Sequence, residues 1–216
     1  MTPRALVAVA ALAGLCACAP RYLHSELTPG AALPPSAKIA VLTLVPAGDP
    51  ESDAYRTGQI GPGAETMVTE RLYQALQQQT PYELTPRLLV EQELARFAGP
   101  PSSFTELQAL ARALKADAVL RGVITDFRER EGSHVGVQRP AAVGIELWLT
   151  RARDGQTIWR GSYHETQQSL TEEIRTLPLY FKRGTRWLTA EELAAYAVDA
   201  LIKTLPRPQP ADAPAQ

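Results

Sequence analysis

A chain of 216 residues has room for one globular domain with appendages, or for two small ones. Its 22 Lys and Arg against 23 Asp and Glu give a formal charge of -1, without the basic excess of proteins that bind by neutralising phosphates, so bulk nucleic-acid binding is disfavoured. A 45% hydrophobic and 21% charged composition is that of an ordinary folded protein, while 18 prolines exceed the usual ~5% share and gather toward the ends, marking those as tethers.

The N-terminus reads as an export signal. Met1 to Arg4 carries one positive side chain, Ala5 to Leu15 is unbroken apolar sequence, and Leu15-Cys16-Ala17-Cys18 follows. The apolar run is well short of the ~20 residues that a membrane-spanning helix requires. The last four residues resemble a bacterial lipobox, with an aliphatic residue, two small ones and then the cysteine that is alkylated. Cys18 fits as that acceptor, because Leu15 is aliphatic and Cys16 and Ala17 are small; Cys16 as acceptor would put bulky Leu15 next to the cleavage site. The expectation is a signal over 1–17 and a lipid-bearing Cys18, with a plain secretory signal or a buried N-terminal helix as the alternatives. Each acyl methylene buried in the leaflet contributes about 0.8 kcal/mol, so several chains anchor durably. Cys16 leaves with the signal and Cys18 is used by the lipid, so no thiol remains for a disulfide, metal or catalytic role. Ala19, not Asp, follows the acceptor, which resembles the outer-membrane sorting pattern and points to a domain facing the periplasm.

Residues 18–37 hold Pro20, Pro29, Gly30, Pro34 and Pro35 with little periodic apolar pattern, which predicts a flexible tether. Nineteen extended residues would reach about 60 Å. At the other end, Pro206 through Gln216 is Pro/Ala-rich and reads as a disordered tail. The domain is then 38–205. Lys38 to Val45 is apolar on both alternating faces, as in a strand covered on each side. A Gly, Pro and Asp loop leads to a helix over about Ala64 to Gln78, with Val68, Leu72, Ala75 and Leu76 on one face. Tyr82 to Leu84 suggests a short strand. Thr85-Pro86 places a cap before a first-turn proline and opens a helix with Val90, Leu94 and Phe97. Ser103 and Glu106 have capping-box spacing for the next helix, striped by Phe104, Leu107, Ala111 and Leu114. Asp117 to Phe127, Val143 to Arg151 and Gln156 to Tyr163 read as strands of a meander, the last two joined at Asp154-Gly155. Ser169 to Glu172 and Thr189 to Glu192 are further capping boxes, the second opening a helix with Leu193, Ala197, Leu201 and Leu205. This order predicts an α/β fold, a single mixed β-sheet packed with helices as an α/β sandwich.

No convincing catalytic set is present. His24, His134 and His164 show no metal spacing, and Glu165 beside His164 would face the other side of a strand. Ser162, His164 and Asp154 lack a nucleophile elbow. Gly58 to Gly63 looks like an anion cradle ahead of a helix, but no Lys-Ser/Thr pair follows and Pro62 removes a donor. Asp126 to Glu131 is a mixed-charge run suited to a solvated hairpin arm. Glu172-Glu173 and Glu191-Glu192 sit beside cap positions, where helix-end effects account for them. No catalytic residue, metal or cofactor is therefore assigned. The segment Leu177 to Trp187 stands apart, because Tyr180, Phe181, Lys182, Arg183, Arg186 and Trp187 combine aromatics and cations without helical or alternating period. It is the candidate contact surface for a partner or a membrane, packing onto its own core being the alternative.

Four stretches together resemble the curli-secretion-channel-like, Tol-Pal-propeller N-terminal-like and penicillin-binding-protein-activator-like family of envelope lipoproteins. They are Lys38-Ile39-Ala40-Val41-Leu42, the helix bearing Leu72, Ala75 and Leu76, the run Leu110 to Gly122 with its Ala116-Asp117, and Gly155 to Trp159. The family's phenylalanine-rich stretch after the first strand is replaced here by Val45 to Pro50, and the membrane-spanning hairpins of the curli channel are not evident. The resemblance implies an anticodon-binding-domain-like α/β sandwich and a non-enzymatic outer-membrane lipoprotein. Such proteins assemble with partners in secretion, exopolysaccharide export or peptidoglycan-synthase activation. The expected function is an accessory or assembly subunit of an envelope complex, held to the membrane by its lipid and open to homo-oligomerisation. A synthase activator is the alternative, and a small hydrolase using His164 the enzymatic one.

Overall fold

Three long strands with alternating apolar and polar residues build the middle of the molecule. They are β5 (Ala118–Arg128), β8 (Ala142–Arg151) and β9 (Thr157–Thr166), paired antiparallel in sequence as the meander requires. The computed structural model describes residues 22–30, 32–47, 60–97, 99–101, 103–133, 136–167 and 186–208. Around the meander lie β1 (Leu23–Leu27), β2 (Lys38–Val41), β3 (Val45–Pro46) and β4 (Glu83–Leu84). The sheet runs in the order β1-β9-β8-β5-β2-β4, with β3 also on β5. Strands β2, β3 and β4 pair in parallel and the rest antiparallel, so the sheet is mixed. A separate small hairpin joins β6 (Glu131–Gly132) to β7 (Val137–Arg139).

Four described helices pack on this sheet: α1 (Ala64–Gln79), α2 (Arg87–Leu94), α3 (Phe104–Leu114) and α4 (Ala190–Ile202). Helices α1 and α4 lie side by side, linked at their surface by Arg71 to Glu191 at 2.8 Å and Gln79 to Asp199 at 2.7 Å. Their stripes, including Val68, Leu72, Leu76, Leu193, Ala197 and Leu201, bury Leu120, Ile124, Ile145, Leu147, Trp159 and Tyr163 of the sheet. A second, smaller core forms on the opposite side, where Val90 and the α3 residues Leu107, Leu110, Ala111 and Leu114 meet Ala40, Leu42 and Val119. Strand β2 therefore has Ile39 and Val41 in one core and Ala40 in the other, the two-sided burial its sequence predicts.

Local chemistry fixes the ends. Ser103 with Glu106, and Thr189 with Glu192, form reciprocal capping boxes at α3 and α4. Helix α2 departs from expectation: Pro86 occupies the N-cap without a side-chain cap, and Thr85 instead gives its backbone N–H to Ile39 O at 2.9 Å. Asp117 clamps the starts of β2 and β5, its Oδ2 accepting from the Lys38 N–H at 2.8 Å while its own N–H reaches Lys38 O at 2.8 Å. Gly122 is a close-packing glycine, since a Cβ there would lie 2.5 Å from Leu147 Cδ2 and 2.7 Å from Glu146 O. Gly155 turns the β8–β9 hairpin at φ 69, a conformation that favours glycine.

The tether expected over 18–37 is corrected by the sheet. Leu23–Leu27 pairs antiparallel with β9, Leu23 opposite Tyr163 and Leu27 opposite Trp159. Leu33 and Ala37 are buried in the main core. Strand β1 shows no apolar run because its side chains are mostly exposed; backbone hydrogen bonds to β9, not burial, hold it. At the C-terminal end the Tyr82 hydroxyl donates to Pro206 O at 2.7 Å, and burial pushes the phenol up to about 12. The expected tail from 206 is thus fixed at its first residue, and residues 209–216 lie outside the described ones.

Candidate functional site

Alternation along β5, β8 and β9 sends their aliphatic residues under α1 and α4 and the intervening residues to the opposite face. Among the described residues, the second core covers that opposite face at β2 and the start of β5. Beyond it the register lines up rungs of polar and aromatic side chains across four strands. Arg121, Trp148, Arg160 and Glu26 form one rung, and Val123, Glu146, Ser162 and His24 the next. Both guanidinium groups of the first rung lie over the indole, Arg121 at 5.2 Å and Arg160 at 5.6 Å from its ring centre. Arg160 also donates to Glu146 at 3.0 Å, and Glu146 stands 3.7 Å from His164 Nε2.

Asp126 and His164 flank Gly144 in the third rung. A Cβ on Gly144 would come within 2.2 Å of Thr125 Oγ1 and 3.0 Å of His164 Nδ1, so glycine is what lets those two groups meet at 3.3 Å. Burial pushes the Asp126 carboxyl up, with Arg128 and His164 pulling it the other way, and burial pulls the Arg121 guanidinium down. Among the described residues, Asp126 Oδ1, Arg121 Nε and Arg128 Nε are buried without a hydrogen-bond partner. This face therefore holds both signs of charge, in part unsatisfied. Sequence reading missed Arg121, Glu146, Trp148 and Arg160; the signal was their regular placement opposite the aliphatic positions of the strands.

Other sequence candidates fall in different places. His24 lies on β1 and meets Glu26 at 3.0 Å. Ser162 and His164 share the open face, whereas Asp154 sits in the hairpin at the far end of β9, bound to Arg151, whose guanidinium holds its carboxyl down to about 2. The three are not brought together. Gly61 of the glycine-rich loop gives its N–H to Phe127 O at 2.9 Å, and Glu65 occupies the first turn of α1, so that helix start does not offer a free anion cradle. Glu165 accepts from the Tyr163 hydroxyl, on the side away from His164. Among the described residues no group of three or more His, Cys, Asp or Glu side chains could hold a metal ion.

Arg186 and Trp187 of the aromatic and cationic segment are described, and they dock at the end of β9. Gln167 donates to Arg186 O at 3.2 Å and accepts from the Leu188 N–H at 2.8 Å. Arg130 donates to the Trp187 carbonyl and Arg186 pairs with Glu192. Tyr180, Phe181, Lys182 and Arg183, with Cys18, His134, and the 169–172 helix and Glu172-Glu173, lie outside the described residues. At the opposite end of the sheet an open cleft of about 550 Å³ is lined by Leu33, Ala111, Arg112, Lys115, Arg151 and Arg153 among others. Lys115 closes α3 at φ 52, in the left-handed region that usually takes glycine.

The fold is thus an α/β architecture, one mixed sheet packed with helices. No family model matches the chain, and no curated protein matches it. Solved structures do. The PelC dodecamer from Paraburkholderia phytofirmans is similar at 16% identity and a TM-score of 0.51, over 87% of this chain and 99% of that one. The LpoB C-terminal domain from Salmonella enterica is similar at 16% identity and TM-score 0.39, over 62% and 86% of the two chains. Lipoprotein GNA1162 from Neisseria meningitidis follows at 19% identity and TM-score 0.40, over 68% and 91%. The first of these shares the fold along nearly its whole length.

Proposed function

We propose that the chain is a non-enzymatic, lipid-anchored accessory or assembly subunit of an envelope complex, in secretion or polysaccharide export, placed at the outer membrane with its domain in the periplasm. The observation that carries this reading is a lipobox-like Leu15-Cys16-Ala17-Cys18 ending only four residues before Tyr22, at the edge of a sheet whose polar face carries ion pairs and an indole stacked between guanidinium groups. We assign that face to self-association, with a second copy of the chain as occupant. It carries the guanidinium groups of Arg121 and Arg160 beside the carboxyls of Glu146 and Asp126, so it offers both signs of charge to a copy of itself. The similar PelC chain is a dodecamer, which supports self-association. A synthase activator must reach toward peptidoglycan, and pairing of β1 shortens the reach from the ~60 Å of a long tether to about 14 Å, which favours the export reading.

The test is fractionation and native mass in detergent. Cys18→Ser should release a folded protein into the periplasmic soluble fraction, and the wild-type lipidated chain should run as an oligomer. Unchanged membrane fractionation with lipid label on Cys16 would overturn the anchor; a monomer at every concentration would overturn self-association.

A further inference from the structure

The position of Tyr22 fixes where the N-terminal segment leaves the sheet. Its carbonyl accepts from the His164 N–H at 2.8 Å, and its ring lies tilted on Tyr163 at 5.0 Å, so Tyr22 is held beside the C-terminal end of β9. Cys18 is four residues earlier. Whatever path those residues take, they span at most about 14 Å. The ten residues of β9 are about 33 Å long, so the two ends of the sheet are not equally within reach of the anchor.

We propose that the sheet end formed by the last residues of β5 and β9, the β6–β7 hairpin and Arg186-Trp187 lies against the lipid headgroups of the leaflet, while the Asp154-Gly155 hairpin and the cationic cleft point away from it. This rests on the reading of Cys18 as the anchor. The parts of this end are joined to one another: Arg130, just before the hairpin, holds the Trp187 carbonyl, and Gln167, just after β9, holds both Arg186 and Leu188. Several of its charges are matched among the described residues. Arg139 pairs with Glu131 at 3.0 Å, Arg186 with Glu192, and Glu129 accepts from the Ala190 N–H at 3.0 Å. Free cations gain about 1 kcal/mol each at an anionic surface, and cations already paired do not offer it. The short leash therefore sets the orientation, and partly buried Trp187 is the kind of side chain suited to headgroup depth.

The experiment uses the full lipidated protein in vesicles of phosphatidylethanolamine and phosphatidylglycerol carrying a headgroup spin label. With Cys18 acylated, a single introduced cysteine takes a fluorophore uniquely, at Gln138→Cys on the β6–β7 hairpin or at Arg153→Cys at the far end. Flotation is measured on the same samples. Quenching several-fold stronger at position 138 than at 153 is the expected result. Equal quenching, or stronger quenching at 153, in protein that floats overturns the orientation alone; protein that does not float overturns the anchor reading and the orientation with it. Inserting about fifteen Gly/Ser residues between Cys18 and Tyr22 adds roughly 20 Å of reach and should erase the difference while flotation persists. A difference that survives the insertion also overturns the proposal, since the leash would not be its cause.

Discussion

The two faces of the sheet are built from the same strands by different rules. Under α1 and α4, Leu120, Ile124, Ile145, Leu147, Trp159 and Tyr163 are at most 1% exposed and every one is aliphatic or aromatic. Across the same strands, Arg121, Trp148 and Arg160 stand in cross-strand register with Glu146 on the next rung, held together by stacking and ion pairing. Burial of the first face is a folding requirement, for a fully buried large side chain contributes about 1.5–3 kcal/mol. The second face adds little of that kind, because exposed ion pairs have a median worth of about 0–1 kcal/mol. On the proposed reading, that face serves a second copy of the chain.

The comparison breaks most sharply at Trp159. Its ring is 1% exposed, and Gly161 leaves the space it fills, since a Cβ there would lie 2.4 Å from the ring. Trp159→Ala should cost about 3–5 kcal/mol, and at about 2–4 °C per kcal/mol for a domain of this size the melting temperature should fall by roughly 10 °C. A thermal melt checks it, and a loss of only a degree or two would mean that this face is not the core that holds the chain together.

Much of this architecture was legible because period and cap agree. The stripe Val68, Leu72, Ala75, Leu76 marked α1 to within a residue of its end, and both capping boxes at Ser103 and Thr189 closed as spaced. Strand β1 was hidden because an edge strand with exposed side chains needs backbone partners and no apolar pattern, and prolines at 20 and 29 bracket it without entering it. Thr85 misled because Tyr73 and Ile39 take its backbone groups, leaving Pro86 at the helix start. Phe104 was read into the apolar stripe of α3 and lies 47% exposed, its ring against Gly155. The polar ladder was invisible as a site because register between strands far apart in sequence, such as Arg121 opposite Trp148, is a tertiary fact. Only the alternation that puts it on one face is local.

A smaller effect should follow at the other face. Trp148 is half-buried between two guanidinium groups, and exposed cation–π contacts contribute about 0.5–1 kcal/mol each. Trp148→Ala should therefore lower stability by about 1–2 kcal/mol, well below Trp159→Ala, while shifting the lipidated chain toward monomer in native mass measurements. An unchanged oligomer with a Trp159-sized loss of stability would place Trp148 in the core and remove the distinction between the faces.

The smallest change is at Asp126, where the sign with pH is the readout. Burial holds its carboxyl above the ordinary value of 3.8, Arg128 and His164 opposing only in part, and one oxygen has no partner. A carboxyl raised in this way binds its proton more tightly in the folded chain than in the unfolded one. The isolated chain then loses stability as pH rises from the ordinary value through the folded one, and the loss is complete above it. Asp126→Asn removes the titration. The variant should melt with the wild type at pH ~3 and higher than the wild type at pH ~7.5, under conditions that keep the chain monomeric. In the oligomer the gain should shrink, because a guanidinium brought to this face by a second copy would favour the charged carboxylate. A variant that melts lower than the wild type at neutral pH as a monomer would show that contacts within its own chain, the Phe127 N–H, Arg128 and His164, favour the Asp126 carboxylate more than burial penalises it.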